Sequence, residues 1–413
     1  MRSIGLSFGA AFGVAVCLLM SACGGGGGGG LASSGSSGGS GSTPSGANVA
    51  SIIVDQGPNN DSVNTAFVSV TVCAAGSTTN CATVDHVQLD TGSYGLRILS
   101  SALNLALQPI AAPGGGSLVE CVNFVDGYSW GPVVAADVTV GGETAGNLPV
   151  HVIGDSRFTT VPSDCSGTGT EEDTVATFHA NGVLGVGPFQ YDCGDGCVST
   201  VQPASYYACN GASCIASTAP LASQVQSFVS SLASDNNGVI IQMPSVADAG
   251  ALTVSGSLIF GIDTESNNAS GSETVIALDG FAELTATYKG QALNQSFIDS
   301  GTNGIYFNDS TIPKCTQTGI TDFYCPTSTQ ALSAALTSNV MTGTSAMVDF
   351  SVGNANDMFQ ANPTFNAFPQ LSGSYPGTTP TLDLGMSFFY GRRVAVALDG
   401  AKTTVGTGPY VAF

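Results

Sequence analysis

The chain has 413 residues, too many for one ordinary domain and enough for two lobes that each bury a core. Charged residues make up only 9% beside 55 glycines, which disfavours an architecture of amphipathic helices and favours short strands joined by turns. With 8 Lys plus Arg against 29 Asp plus Glu, the net charge of -21 argues against any basic patch for nucleic acid or anionic lipid.

Met1 and Arg2 lead into an apolar stretch from Ile4 to Met20, followed by the small residues Ser21 and Ala22, the layout of a signal peptide over residues 1–22. Leu19-Met20-Ser21-Ala22-Cys23 resembles the bacterial lipoprotein box, which implies a lipid on Cys23 and a membrane-anchored mature chain. The Gly24–Gly30 run and the Gly/Ser-rich sequence up to residue 48 read as a flexible tether, which suits a chain fixed at one end. Gly24 after the cysteine points, by the same resemblance, to the cell envelope and to the outer membrane facing the periplasm. Setting aside Cys17 and Cys23, the 12 cysteines leave an even ten, as an oxidising compartment favours. Close spacing suggests the staples Cys73 with Cys81, Cys193 with Cys197, Cys209 with Cys214 and Cys315 with Cys325, leaving Cys121 with Cys165; sequence does not fix connectivity. Cys193-Gly-Asp-Gly-Cys197 lacks a C-x-x-C spacing and has none of the three histidines nearby (His86, His151, His179), so no metal is expected.

The expected N-terminal lobe spans 49–240 and the C-terminal lobe 241–413. Asp55 to Thr71, with alternating Ala66-Phe67-Val68-Ser69-Val70, reads as the first strands. Val87-Gln88-Leu89 then alternates into Asp90-Thr91-Gly92-Ser93, where a glycine turn lifts the acid off a strand end. Leu221 to Leu232, with apolar Leu221, Val225, Phe228 and Val229, predicts an amphipathic helix whose stripe is core. Ser296-Phe297-Ile298 leads into Asp299-Ser300-Gly301-Thr302, a second copy of the acid turn. One such match is weak evidence in a chain this rich in Gly, Ser and Thr; two are much stronger.

Two carboxylates suffice to hydrolyse a peptide bond, one as a base that takes a proton from water and one as an acid toward the carbonyl. Held a few ångströms apart they share one proton and titrate as a unit. The hydroxyls of Ser93 and Thr302 are placed to hydrogen-bond the outer carboxylate oxygens.

These motifs resemble those of the pepsin-like aspartic peptidases. Gly182-Val183-Leu184-Gly185-Val186-Gly187 is similar to the segment that supports the first aspartate turn in that family. Leu382-Asp383-Leu384-Gly385-Met386, running on through Arg393 to Asp399, is similar to the second support, and Gly256 to Asp263 to the opening of the second lobe. The resemblance covers most of residues 50 to 413. It implies an all-β, bilobal fold with a central cleft and few short helices, catalysis by Asp90 and Asp299, and a supporting set of Thr91, Gly92, Ser93, Ser300, Gly301 and Thr302. It further implies a hydroxyl cross-link between Thr91 and Ser300, a polypeptide substrate, no cofactor and a monomer.

In the family a hairpin carrying a Tyr before a Gly-rich turn folds over the substrate. Here the matching stretch is Phe124-Val125-Asp126-Gly127-Tyr128-Ser129-Trp130-Gly131, with Phe124 in the tyrosine's place, so Phe124, Asp126, Gly127, Tyr128 and Trp130 are the expected substrate contacts. No Lys or Arg occurs between Arg2 and Arg97, so no basic pro-segment is expected. No Gly-x-Ser-x-Gly elbow stands out, and Gly185-Val186-Gly187 lacks the third glycine of a dinucleotide loop. Two readings remain: an active endopeptidase, or a non-catalytic module that uses the cleft to hold a protein or glycan.

Overall fold

The computed structural model describes residues 45–413 except Asp126 and Thr342; the expected leader, Cys23 and nearly all of the tether lie outside the described residues. The chain is built of short strands whose alternation sets their faces. In Ala66–Ala74, for example, Val68, Val70 and Val72 are buried and Ser69 is exposed. Asp55–Thr65 is turn, and the first strands are Val49–Val54 and Ala66–Ala74.

The architecture repeats one device in both halves. Strand Cys81–Asp90 runs parallel to Gly182–Val186, which runs antiparallel to Tyr94–Leu99, so that Leu184 lies between Leu89 and Leu96. In the second half Gln291–Ile298 runs parallel to Leu382–Leu384, itself antiparallel to Ile305–Phe307, and Leu384 lies between Ile298 and Ile305. Each middle strand therefore passes under the turn that carries an aspartate. A Cβ on Gly185 would collide with the backbone of Ser93 and Tyr94, and one on Gly385 with the carbonyls of Thr302 and Gly304, so only glycine admits this approach.

A layer of six strands joins the halves, in the order Val49–Val54, Val254–Phe260, Gly238–Gln242, Arg393–Ala397, Tyr410–Ala412 and Val275–Ala277. Residue 240, the expected lobe boundary, lies inside the third of these strands. One apolar cluster runs from Ala50 and Leu89 through Leu258 and Ile298 to Val411, so the lobes share a core. The Asn64 side chain, wholly buried, adds a polar latch: it donates to the carbonyls of Asn303 and Phe368, at 2.8 Å each, and accepts from Phe368 N at 2.7 Å.

The helix expected over Leu221–Leu232 does not form. Two 3₁₀ turns, Leu221–Ser223 and Val229–Ser231, flank an extended stretch that bridges Tyr191 through Gln226. Tertiary bonds override the helical pattern, since Val225 N donates to Tyr206 Oη at 2.9 Å and Val225 O accepts from Asp192 N at 3.2 Å. Val225, Phe228 and Val229 are nevertheless core.

Among the described residues the four closely spaced cysteine pairs are joined as their spacing suggested, and the two left over form Cys121–Cys165 across a separation of 44 residues. Closing a loop of that length removes chain entropy from the unfolded state worth about 4 kcal/mol. Replacing both Cys121 and Cys165 by serine is expected to lower the urea-unfolding free energy by about that amount, and a loss below about 1 kcal/mol would contradict the assignment.

Candidate active site

Asp90 ends its strand and Asp299 follows its strand by one residue, and the two turns meet between the lobes. The meeting is shown by what surrounds each glycine. A Cβ on Gly92 would lie 2.8 Å from Asp299 Cγ, and one on Gly301 would lie 2.6 Å from Asp90 Oδ1, so each acid rests against the glycine of the opposite turn. Asp90 and Asp299 also hydrogen-bond each other through their side chains. Within its own turn each carboxylate accepts a backbone N–H, Gly92 N to Asp90 Oδ1 at 2.7 Å and Gly301 N to Asp299 Oδ1 at 2.8 Å. Thr302 Oγ1 donates to Asp299 Oδ2 at 3.1 Å. The matching bond in the first turn is not made: Ser93 Oγ is buried without a hydrogen bond, so the two acids are held unequally.

Thr91 and Ser300 tie the turns together, though not hydroxyl to hydroxyl. Thr91 Oγ1 donates to Ile298 O at 3.0 Å and accepts from Ser300 N at 2.9 Å. Ser300 Oγ donates to Leu89 O at 2.8 Å and accepts from Thr91 N at 3.1 Å. Each hydroxyl thus satisfies a buried N–H and C=O of the other lobe, which would otherwise be costly orphans.

Asp90 is 1% and Asp299 0% exposed, directly beneath a cleft of about 1200 Å³ that Thr91 and Gly92 help to line. Burial, then the charges of Asp90 and Asp383, hold the Asp299 carboxyl well above the usual carboxylate range, with Gly301 N–H opposing. The pair therefore retains a proton where ordinary carboxylates have lost theirs. Tyr94, which the sequence did not single out, also lines the cleft; burial and the charges of the two acids push its phenol up and keep it neutral. The signal for it was its place just beyond Asp90-Thr91-Gly92-Ser93, at the start of the following strand.

The hairpin residues stand elsewhere. Phe124 packs edge-on against Phe178 at 5.8 Å, within a cluster that includes Phe67 and Leu99. Tyr128 and Trp130 are buried; Trp130 Nε1 donates to Phe158 O at 2.8 Å and its ring meets Tyr207 at 5.1 Å. Gly127 and Tyr128 pair with the short strand Thr170–Glu171, and Asp126 lies outside the described residues. Phe124, Gly127, Tyr128 and Trp130 do not line the cleft, because burying the Tyr128 and Trp130 rings, packing Phe124 on Phe178 and joining Cys121 to Cys165 fasten the hairpin to its own lobe.

Behind Tyr94 lies a buried ion cluster that the sequence did not reveal, since its members are distant along the chain. Arg97 donates to Tyr94 O at 2.6 Å and meets Glu120 at 2.6 Å and Asp192 at 3.3 Å; His151 Nδ1 is 3.1 Å from Glu120 Oε2. Burial, with Arg97 adding to it and Glu120 opposing, lowers the His151 imidazole to about 4, so it is neutral near pH 7. Burial and the neighbouring Glu120 raise Asp192 well above the usual range, whereas Glu120 is lowered, Arg97 and then His151 outweighing its burial.

The family model described as "Protein of unknown function (DUF3443)" matches residues 44–413. No curated protein matches the chain. Among solved structures, the crystal structure of aspartic proteinase from Irpex lacteus has a TM-score of 0.51 at 14% identity, covering 88% of this chain and 96% of that one. At that identity the likeness shows the fold: two barrel-like sheets and few helices, as in aspartic proteinases.

Removing Arg97 leaves two buried acids without their cation, which typically costs about 3–5 kcal/mol. Arg97→Met is expected to lose that much in urea unfolding, and a loss under about 1 kcal/mol would show the cluster to be unimportant.

Proposed function

The chain belongs to the family described as "Protein of unknown function (DUF3443)", and we propose that it is an aspartic-type endopeptidase in which Asp90 and Asp299 activate a water held between them. The observation that carries this reading is the mutual cradle, each acid set against the glycine of the opposite turn and bonded to its partner. In the proposed reaction the ionised member takes a proton from water as its oxygen attacks the peptide carbon, while the protonated member donates to the carbonyl oxygen. Collapse of the tetrahedral adduct breaks the C–N bond as a proton passes to the leaving amine. The chemistry calls for no cofactor. Tyr94 supplies the neutral hydroxyl beside the acids that Phe124, packed in its own lobe, does not. The cleft would take an extended polypeptide along Phe189, Phe281 and Phe297.

A second reading, a module that holds a protein or glycan without cutting it, is favoured by one observation: the hairpin's aromatic rings are all committed away from the cleft. As part of the same proposal, residues 1–22 are a leader, lipidated Cys23 anchors the chain in the cell envelope, at the outer membrane facing the periplasm, and the Gly/Ser-rich stretch after it tethers a monomeric domain that begins before residue 48, since Asn48 is buried and donates to Phe260 O at 2.9 Å. Five disulfides suit such an oxidising compartment.

A soluble form starting at Ala47, incubated with an unfolded protein between about pH 3 and about pH 7, separates the readings. Cleavage is expected, falling as pH rises through the elevated Asp299 ionisation, because the doubly ionised pair has no acid left. Asp90→Asn and Asp299→Asn should each lower kcat/KM by about 10³-fold; no cleavage by the wild-type protein, or undiminished cleavage by Asp90→Asn, sinks the peptidase. For Tyr94→Phe the expectation is a kcat about tenfold lower with KM little changed, the cost of one hydrogen bond in the transition state. An unaltered kcat would remove Tyr94 from the mechanism.

A further inference from the structure

The end of the second sheet that carries Asp299 carries two further turns. Strand Gln291–Ile298 pairs antiparallel with Leu284–Tyr288, and that strand pairs antiparallel with Gln330–Thr337. The residue after the first strand, the turn before the second and the turn after the third therefore lie side by side. The turn before Leu284 presents Phe281, which is 82% exposed although it lines the cleft. The turn after Thr337 presents Val340 and Met341, 59% and 61% exposed. Single apolar residues in water are ordinary, whereas three on adjoining turns at the edge of a cleft form a patch.

Polar atoms join the two turns and leave the apolar side chains out. Asp279 Oδ1 accepts from Phe281 N and Glu283 N, each at 2.9 Å, and Asp279 Oδ2 accepts from Asn339 Nδ2 at 2.9 Å. Asn339 also donates to Asn294 O at 3.3 Å and accepts from Thr285 Oγ1 at 2.6 Å. Ser338 Oγ accepts from Val340 N at 3.1 Å and from Met341 N at 3.0 Å. Ala282 is held at φ +62°, a left-handed conformation that opposes its Cβ, and such strain persists where the surroundings over-determine it. The backbone of the rim is thus fixed, while the apolar groups it carries stand in water.

Of the surfaces that could cover them, an extended polypeptide fits. The three side chains offer on the order of 400 Å², about half of what one partner in a stable protein interface buries, so a second copy finds too little here. A bilayer that received Val340 and Met341 would receive Phe281 with them and lie across the cleft that Phe281 lines. A chain leaving the cleft meets no such conflict, because Phe281 belongs to both surfaces. Neighbouring strands lie roughly 4.8 Å apart, so Gln330–Thr337 runs about 10 Å from the strand of Asp299, a span that about three extended residues cover.

We propose that Phe281, Val340 and Met341 form an outer subsite that takes an apolar segment of the bound polypeptide, about three to six residues from the position of cleavage. The protein accordingly prefers long, unfolded chains that carry an apolar stretch beside the cut. This rests on the reading of the cleft as a polypeptide site, whether or not the polypeptide is cut.

Overlapping peptides of one reduced, carboxymethylated protein, screened by fluorescence anisotropy against the soluble form from Ala47 carrying Asp90→Asn, supply a short core that binds the cleft. That core is lengthened on its amino or its carboxyl side, either by leucine and valine or by serine and glycine. One of the two apolar extensions should lower Kd about tenfold relative to its polar counterpart, or about 1.4 kcal/mol. Val340→Ser combined with Met341→Ser should erase that gain and bind the unextended core as before; both positions are exposed, so this variant should fold. With Asp90 intact, KM for the extended peptides should follow Kd while kcat changes little. The proposal is overturned if no peptide binds, if neither apolar extension outdoes its polar counterpart, if the double variant keeps the gain, or if it weakens the core equally. Binding to phosphatidylcholine vesicles, or dimerisation on sedimentation, that needs Val340 and Met341 and comes without the peptide gain would assign the patch to lipid or to a second copy instead. An anisotropy gain without cleavage by the wild-type protein would sink the peptidase and leave the subsite standing; cleavage without the gain would do the reverse.

Discussion

Two carboxyl groups packed against each other away from water cannot both carry charge, and holding them there is the constraint around which the rest of this molecule is arranged. Their own burial favours separation or neutralisation, so the backbone must over-determine their position. The N–H groups of Gly92 and Gly301 fix one oxygen of each acid, and the crossed hydroxyls of Thr91 and Ser300 fix the two turns to one another. Neither turn could close on the other if the lobes moved independently. The six-strand layer and the shared apolar cluster remove that freedom, which is why strands from residue 49 to residue 412 run side by side in one sheet.

The two halves repeat a topology but not an electrostatic environment. Behind the first turn, the register position that follows Leu96 is Arg97, which gathers Glu120 and Asp192 into a buried cluster and holds the carbonyl of Tyr94. Behind the second turn, the corresponding position after Ile305 is Tyr306, paired with Asp383 and without a cation. Ser93 makes no bond where Thr302 makes one. A symmetric pair would share its proton evenly. These differences bias it, and they do so through residues that differ between the halves while the backbone stays alike.

What the sequence made legible was local. An acid at a strand end followed by a small residue and a glycine is a backbone requirement visible in four letters, and so both turns, their supports and the all-β plan could be read from the chain. The short-range cysteine staples were readable for the same reason. The hairpin was not: Phe124, Tyr128 and Trp130 were assigned by position in a pattern, whereas their place is decided by Phe178, Tyr207 and Phe158, far along the chain. Leu221–Leu232 failed alike, its helical periodicity losing to the Tyr206 phenol and to Asp192.

With the hairpin fastened to its own lobe by Cys121–Cys165 and by the Thr170–Glu171 strand, the cleft is roofed by whatever enters it. Excluding water from a carboxyl pair strengthens every charge interaction there, and a mobile lid is one way to achieve it. On the peptidase reading the same exclusion must come from the ligand, lying across a cleft of about 1200 Å³ lined by Tyr94, Phe189, Phe281 and Phe297. A short peptide would leave much of that space wet, whereas a long extended segment would fill it. On the peptidase reading, the binding energy of residues far from the cut then takes over work that a lid would otherwise do at the cut itself.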